Sequence, residues 1–176
     1  MTSTNSSRPW RIGGALAAAT ACALLGTASA QAAGATAAVC TPRFSLSISP
    51  GFSLAPTSGT LTSHGETGSL TCTGKIGGHR VTGPGTVGLD ETYAGGTCAS
   101  HVGTGTARIS IPTTGGVKHL AGAATSRRTA LAVRAEVRFP GARFTGAGVA
   151  IPTKGTCALS PLRQALITVT GRLAGT

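Results

Sequence analysis

The histidines are the side chains of this sequence that are best suited to acid–base or metal chemistry. The chain has four of them: His64, His79, His101 and His119. Asp90, His101 and one of the many serines are the parts that a Ser–His–Asp arrangement would need. No Gly-x-Ser-x-Gly elbow singles out such a serine, and no pair of histidines has the spacing that places two metal ligands on one face of a helix or strand. The sequence therefore predicts no catalytic residue and no metal site.

The acidic residues are too few and too poorly spaced for glycosidase chemistry. The chain has only four, Glu66, Asp90, Glu91 and Glu136, whereas a glycosidase needs two carboxyl groups facing each other across the sugar. Adjacent residues of a strand point to opposite faces, so Asp90 and Glu91 do not form that pair. Glycine-rich segments such as 83–85 precede strand patterns, and a phosphate-binding loop needs a helix after it. We expect no nucleotide or other cofactor.

The basic residues give the clearest indication of binding. The net charge is +11, and about +9 remains when Arg8 and Arg11 near the N-terminus are left out. Five arginines concentrate in one stretch: Arg127, Arg128, Arg134, Arg138 and Arg143. On one face of a sheet they would form an anion-binding surface, suited to an anionic cell-wall polymer or polysaccharide. The alternative is that they only keep the domain soluble. Nucleic acid is disfavoured, because its binding usually involves exposed aromatic residues and few are present.

The N-terminal segment 1–30 has the pattern of a secretory signal peptide. Arg8 and Arg11 precede an apolar run over 12–26, and Ala28-Ser29-Ala30 provides a cleavage site. A lipidation site at Cys22 is the weaker alternative. No later run reaches the roughly 20 apolar residues of a transmembrane segment. We expect cleavage near Ala30 and a secreted, extracellular protein, with a flexible lead-in over 31–42 and a β domain over 43–176.

Four cysteines follow the signal segment: Cys40, Cys72, Cys98 and Cys157. An even number in an exported chain predicts two disulfides, for which three pairings exist. We prefer Cys72–Cys98, which closes a modest loop, together with Cys40–Cys157. Zinc is disfavoured because no Cys-x-x-Cys pair is present.

The composition favours strands over helices. Gly, Thr, Val and Ser are abundant, whereas Glu, Lys and Gln are scarce. Strand patterns occur at 43–48, 69–73, 78–82, 86–93, 106–111, 130–139, 144–151 and 165–173. The clearest alternates over 130–139, with Leu131 and Val133 on the apolar side and Arg134, Glu136 and Arg138 on the polar side. About eight antiparallel strands predict a single all-β domain, either a β-sandwich or an up-and-down β-barrel.

The segments around the cysteines resemble a known group of proteins. The stretches are SLTCTG at 69–74, GTCA at 96–99 and GTCALSP at 155–161, so that GTCA occurs twice. They resemble small secreted actinobacterial proteins that share a Cys-x-Gly, a Gly-x-Cys and a late Gly-x-Cys-x-x-x-Pro. The resemblance implies a glycine-rich all-β fold and export. It assigns no active-site residue, because the function of that group is not established.

Together these observations predict an exported, non-enzymatic binding or structural module that contacts anionic cell-surface polymer through a basic strand face. One alternative is a small-ligand carrier, which a deep apolar cavity in a β-barrel would favour. The other is a secreted enzyme inhibitor.

Overall fold

The structure is a computed structural model that describes residues 34–176. The predicted signal peptide over 1–30 lies outside the described residues. Residues 34–176 form one antiparallel sheet of ten strands and no helix. The strands are β1 (Ala37–Phe52), β2 (Thr57–Thr62), β3 (Gly68–Ile76), β4 (His79–Arg80), β5 (Gly85–Gly96), β6 (Ser100–Thr113), β7 (Gly116–Thr129), β8 (Ala132–Phe139), β9 (Ala142–Lys154) and β10 (Leu162–Gly175).

The sheet closes on itself because β1 is paired along both edges. One edge of β1 pairs with β10, from Ala37 opposite Ala174 to Ser47 opposite Gln164, and the other edge pairs with β2 and β3. β2 and β3 share one position between β1 and β5, and β4 lies beside β3 in line with β5. The ten strands therefore make a barrel of eight positions. The all-β prediction is confirmed, and of the two predicted architectures the protein has the up-and-down barrel.

Residues 63–67 interrupt the strand position that β2 and β3 share, and Ser63 carries the hydrogen bonding across the gap. The Ser63 N–H donates to the Leu89 carbonyl at 2.9 Å, and the Ser63 hydroxyl accepts from the Leu89 N–H at 2.8 Å. The backbone turns through left-handed conformations at His64 and Gly65, with φ of 55° and 87°. This turn places Glu66 on the outer face of β5 and β6, where its Oε2 accepts from the hydroxyls of Thr86 and Ser110.

Alternation along each strand decides which side chains fill the barrel. On β8, Val133, Val137 and Phe139 are buried, whereas the intervening Arg134 and Arg138 are exposed. The pattern over 130–139 is thus confirmed from Ala132 onward. Leu131, which the pattern assigned to the buried side, is 53% exposed because it lies in the β7–β8 turn, outside the strand.

The barrel begins earlier in the chain than the sequence indicates. Residues 37–42, predicted as part of a flexible lead-in, belong to β1, where they pair with β3 and β10 and bury Ala38 and Cys40. The sequence patterns also miss β2 and β7. The inward positions of β7 include Gly122, Ala124 and Ser126, which give no hydrophobic alternation.

The two disulfides join Cys40 to Cys72 and Cys98 to Cys157, so the preferred pairing of Cys72 with Cys98 and of Cys40 with Cys157 is wrong. Cys40 and Cys72 lie opposite each other on β1 and β3, with Cα atoms 4.1 Å apart. Cys98 and Cys157 join the β5–β6 and β9–β10 connections. Strand adjacency outweighs loop length here, because a disulfide needs Cα atoms within about 7 Å. Two disulfides indicate an oxidising compartment.

Peptide mapping of the unreduced protein should recover Cys40 linked to Cys72 and Cys98 linked to Cys157. The double variant Cys98→Ser/Cys157→Ser should lose about 4 kcal/mol of unfolding free energy, measured by urea denaturation, because its disulfide spans 59 residues and restricts the unfolded chain. The control Cys40→Ser/Cys72→Ser should lose slightly less, because that span is 32 residues. A peptide joining Cys72 to Cys98 would contradict the strand register.

Candidate functional site

Five polar side chains face the inside of the barrel near the Cys98–Cys157 disulfide. This inner polar cluster consists of Glu91 and Tyr93 on β5, His101 on β6, and Ser126 and Arg128 on β7. Each is at most 9% exposed. The alternation that turns apolar side chains inward on these strands turns the five polar residues inward as well.

Arg128 closes this end of the barrel with its guanidinium group. Its Nη1 donates to the Ala130 carbonyl at 3.0 Å, and its Nη2 donates to the Thr97 and Cys98 carbonyls at 2.9 Å each. The guanidinium also lies over the ring of Phe52, 5.0 Å from its centroid. The prediction of Arg128 as an anion-binding surface residue is therefore wrong. Neighbouring residues of a strand face opposite sides, so only Arg127 of this arginine pair reaches the outside.

His101 lies between Arg128 and Phe52. Its Nδ1 accepts a hydrogen bond from Arg128 Nε at 3.2 Å, and its ring stacks on Phe52 with centroids 4.6 Å apart. Burial, and then the charge of Arg128, lower the pKa of His101 to about 4. The imidazole is therefore neutral at neutral pH, and because Nδ1 accepts, its proton resides on Nε2.

Glu91 is the least expected member of the cluster. Its Oε2 accepts the Ser126 hydroxyl at 2.6 Å, but its Oε1 has no hydrogen-bond partner among the described residues. Burial raises the pKa of Glu91 and outweighs the lowering effect of the Ser126 bond. Beside Asp90 in the sequence, Glu91 gives no sign of a buried role. Val87, Leu89 and Glu91 occupy every second position of the strand, and this spacing places Glu91 on the same inward face as the two apolar residues.

A cavity of about 80 Å³ lies inside the barrel beside this cluster. Glu91, His101, Ser126 and Arg128 contribute to its wall, and the rest is mostly apolar. Pockets that bind drug-sized ligands usually have volumes of roughly 300–1,000 Å³, so this cavity is too small for such a ligand.

The structure does not bring together the residues of the hypothetical Ser–His–Asp arrangement. Asp90 lies on the outer face, where it accepts from the Thr62 hydroxyl at 2.6 Å and from Arg108 Nη1 at 3.0 Å. His101 is inside the barrel. A strand wall therefore separates the two side chains that were considered as base and orienting acid.

A different carboxyl–serine–histidine contact occurs on the outer face, in the wrong order for catalysis. Ser110 Oγ donates to Glu66 Oε2 at 2.6 Å and lies 2.8 Å from His119 Nδ1. The serine thus stands between acid and histidine, whereas a triad needs the histidine between them. The Ser110 bond is the main cause that lowers the pKa of Glu66. Because the Ser110 hydroxyl donates to the carboxylate, its oxygen can only accept from His119 Nδ1, so the histidine does not receive the serine proton.

The remaining histidines are separate. His64 Nε2 lies 2.9 Å from Ser47 Oγ, and His79 sits against Gly115. Within residues 34–176, no three histidine, cysteine, aspartate or glutamate side chains group together to hold a metal ion.

The other four predicted arginines lie together on the outer face of β7, β8 and β9. This basic face consists of Arg127, Arg134, Arg138 and Arg143. In the strand register, Arg127 is opposite Arg134 and Arg138 is opposite Arg143. Arg172 on β10 borders the face, since its register partner Thr145 is two residues from Arg143 on β9.

Glu136 divides the basic face into two parts. It accepts from Arg138 Nε and from Arg143 Nη2 at 2.8 Å each, and the bonds to Arg138 and then Arg143 lower its pKa. Arg127 and Arg134, in contrast, form no ion pair with any described residue. The face therefore has one pair of arginines that shares a single carboxylate, and one pair of adjacent positive charges that has no carboxylate among the described residues.

Comparison of the chain with protein-family models, with curated proteins and with solved structures finds no match. In the described part of the chain, no helix has the length and apolar character that crossing a membrane requires.

The burial of neutral His101 predicts an acid-dependent loss of stability. Its folded pKa of about 4 lies below the ordinary histidine value of 6.5, so between these values the unfolded chain binds the proton and the folded protein does not. Stability should therefore fall as the pH drops from 6.5 to 4, by up to about 3 kcal/mol from this residue. Urea denaturation at pH 7 and pH 4 measures the change.

The variant His101→Gln is the control, because an amide oxygen still accepts from Arg128 but does not titrate. Its acid-dependent loss should be smaller than that of the wild type by about that amount. Equal losses in the two proteins would mean that His101 is already protonated, or exposed, in the folded state.

Proposed function

We propose that this protein is an exported, non-enzymatic binding module that holds anionic cell-surface polymer on its basic face. The observation that carries the proposal is the pair Arg127 and Arg134. The two residues lie directly opposite each other on β7 and β8 with no carboxylate partner among the described residues. Like charges in that position destabilise a sheet by roughly 0.2–1 kcal/mol. An anion bound between the two arginines removes this repulsion and accepts hydrogen bonds from both.

The arrangement of the face suits a repeating ligand. Arg138 lies on β8 together with Arg134, and Arg143 lies opposite it on β9; Glu136 holds both. Arg172 extends the basic face onto β10. A polymer with regularly spaced phosphate or carboxylate groups can engage several arginines at once, and each additional contact acts at high local concentration. The closed, disulfide-linked sheet holds the strands in fixed register, which reduces the entropy lost on binding.

The aromatic residues favour a polymer that is bound through charge. All five in the described range are buried: Phe44, Phe52, Tyr93, Phe139 and Phe144. Bases stack on exposed aromatic rings in proteins that bind single-stranded nucleic acid, and none of these rings is on the surface. Recognition through arginine and phosphate or carboxylate does not need them.

The location that we propose follows from the N-terminal segment and the disulfides together. The signal-peptide pattern ending near Ala30 supports secretion, and an oxidising compartment agrees with it. The resemblance of the cysteine segments to small secreted actinobacterial proteins supports the same location. Outside the cell, a chain of this charge meets anionic polymer at the cell surface.

Heparin retention tests the proposal, with heparin as a model polyanion. The variant Arg127→Ala/Arg134→Ala should elute at lower salt than the wild type. The slope of log affinity against log salt should fall by roughly two, because each arginine that neutralises a polymer charge releases about one counterion. Glu136→Gln should bind more tightly, because it frees Arg138 and Arg143.

The matched control is Lys75→Ala/Arg80→Ala. These two basic residues are exposed and lie opposite each other on β3 and β4, so this variant loses the same charge from a second opposed pair away from the basic face. We expect a clearly smaller change in elution. Equal shifts in the two double variants would mean that overall charge, rather than the basic face, governs binding.

A further inference from the structure

Four chain connections meet at the end of the barrel that carries the Cys98–Cys157 disulfide. They join β1 to β2, β5 to β6, β7 to β8 and β9 to β10, over residues 53–56, 97–99, 130–131 and 155–161. Three of the four carry an exposed leucine: Leu54 is 77% exposed, Leu131 is 53% exposed and Leu159 is 93% exposed. We name this part of the barrel the leucine end.

The turns at the opposite end of the barrel are built from other residues. The two-residue turns at 77–78, 114–115 and 140–141 consist only of glycine, threonine and proline. Exposed apolar side chains that are scattered singly are ordinary on a protein surface, whereas a group of them at one place marks a contact site. Val149 and Ile151, exposed on β9, enlarge the group beside Leu131, whose carbonyl accepts from the Ala150 N–H at 2.8 Å.

The connections at the leucine end are tied to one another. The Cys98 N–H donates to the Ser53 carbonyl at 2.9 Å, and Arg128 donates to the carbonyls of Cys98 and Ala130. The disulfide adds the β9–β10 connection through Cys157. Connections that are fixed in this way present their leucines without the loss of loop entropy that a flexible segment suffers on binding.

The leucine end is also basic. Within residues 34–176, no acidic residue lies in the four connections or within three residues of them. Four exposed basic residues lie in the same zone: Arg127, Arg134, Lys154 and Arg163. Apolar tips surrounded by positive charge are complementary to a lipid surface that has anionic headgroups above apolar chains.

Two other occupants match this end less well. An anionic polymer that is held through charge gains nothing from leucines at the tips of the connections. A second copy of the chain, packed end to end, would bring the basic residues of both copies together, and like charges oppose such a contact. A lipid surface uses both the apolar tips and the positive charge.

We propose that the leucine end docks on the surface of a membrane that contains anionic phospholipids. Leu54, Leu131 and Leu159 insert between the headgroups, and the nearby basic residues contact the lipid phosphates. Because the leucines lie on three of the four connections around the rim, the barrel axis stands along the membrane normal. This function goes beyond polymer binding, and it leaves Arg138 and Arg143, farther down the barrel, free for a polymer.

Vesicle sedimentation tests the proposal. The exported protein is mixed with vesicles of phosphatidylcholine and phosphatidylglycerol in equal amounts, and the bound fraction is measured against lipid concentration. We expect binding that weakens as salt is added and that is weaker to vesicles of phosphatidylcholine alone. Each basic residue near an anionic lipid surface contributes roughly fivefold to the affinity.

The variant Leu54→Ser/Leu159→Ser removes the two most exposed leucines. Its partition coefficient onto the mixed vesicles should be lower by roughly a hundredfold, because each leucine that leaves water contributes about tenfold. Its retention on heparin should equal that of the wild type, because the variant keeps every charge. Vesicle binding and polymer binding are thereby measured separately.

The matched control is Val39→Ser/Val117→Ser. These two valines are 50% and 54% exposed, and they lie near the opposite end of the barrel, on β1 and β7. This variant also loses two exposed apolar side chains and should bind the mixed vesicles as the wild type does. Urea denaturation verifies that both double variants are folded.

Tryptophan fluorescence locates the contact on the protein. The chain has one tryptophan, Trp10, so Leu159→Trp is introduced together with Trp10→Phe. On addition of mixed vesicles, its emission should shift to shorter wavelength and be quenched by lipids with brominated acyl chains. Val117→Trp in the same background should show neither effect.

Three results would overturn the proposal. The first is a wild type that does not bind the mixed vesicles, whether or not heparin retains it. The second is an equal loss of vesicle binding in the two double serine variants. The third is Leu159→Trp that stays unquenched while the protein is bound, because contact would then be through charge alone.

Discussion

The pairing of the first strand with the last is the constraint on which the rest of this structure depends. Once β1 joins β10, every second side chain must fit into an enclosed volume. β1 contributes large residues such as Phe44 and Leu46, whereas β6, β7 and β9 turn glycines and alanines inward, including Gly105, Ala124 and Gly146. Much of the unusual glycine content therefore serves the fit of the interior. The same fit leaves the residual space beside Glu91.

β7 contributes to both faces of the barrel, and its consecutive arginines illustrate how differently one residue type is used. Arg128 gives up its hydration and donates hydrogen bonds to three carbonyl oxygens and to His101 Nδ1, so it stabilises the connections around Cys98. Arg127 is exposed and lies opposite Arg134, with no carboxylate partner for either residue within 34–176. The first arrangement is satisfied within the protein, whereas the second leaves two adjacent positive charges on the surface.

Strands with strong alternation, above all β8, were predictable from the sequence, and so was the all-β class. β7 was not, because its interior positions hold small residues that carry no hydrophobic signal. The order of the strands around the barrel was equally inaccessible, and with it the pairing of Cys40 with Cys72. Two features of the sequence do point to the observed structure. Consecutive arginines on a strand cannot both face outward, and the repeated GTCA segments at 96–99 and 155–158 contain the two cysteines of one disulfide.

Joining β1 to β10 also affects how the chain acquires its fold. The hydroxyls of Thr41 and Thr170 lie 3.1 Å apart although 129 positions separate them in the sequence. Contacts of such long range make folding slow. Until the C-terminal strand is delivered, β1 and β9 each have an unpaired edge that can pair with other chains. A polypeptide that lacks β10 is therefore an open, aggregation-prone sheet, and the barrel closes only once β10 has been synthesised.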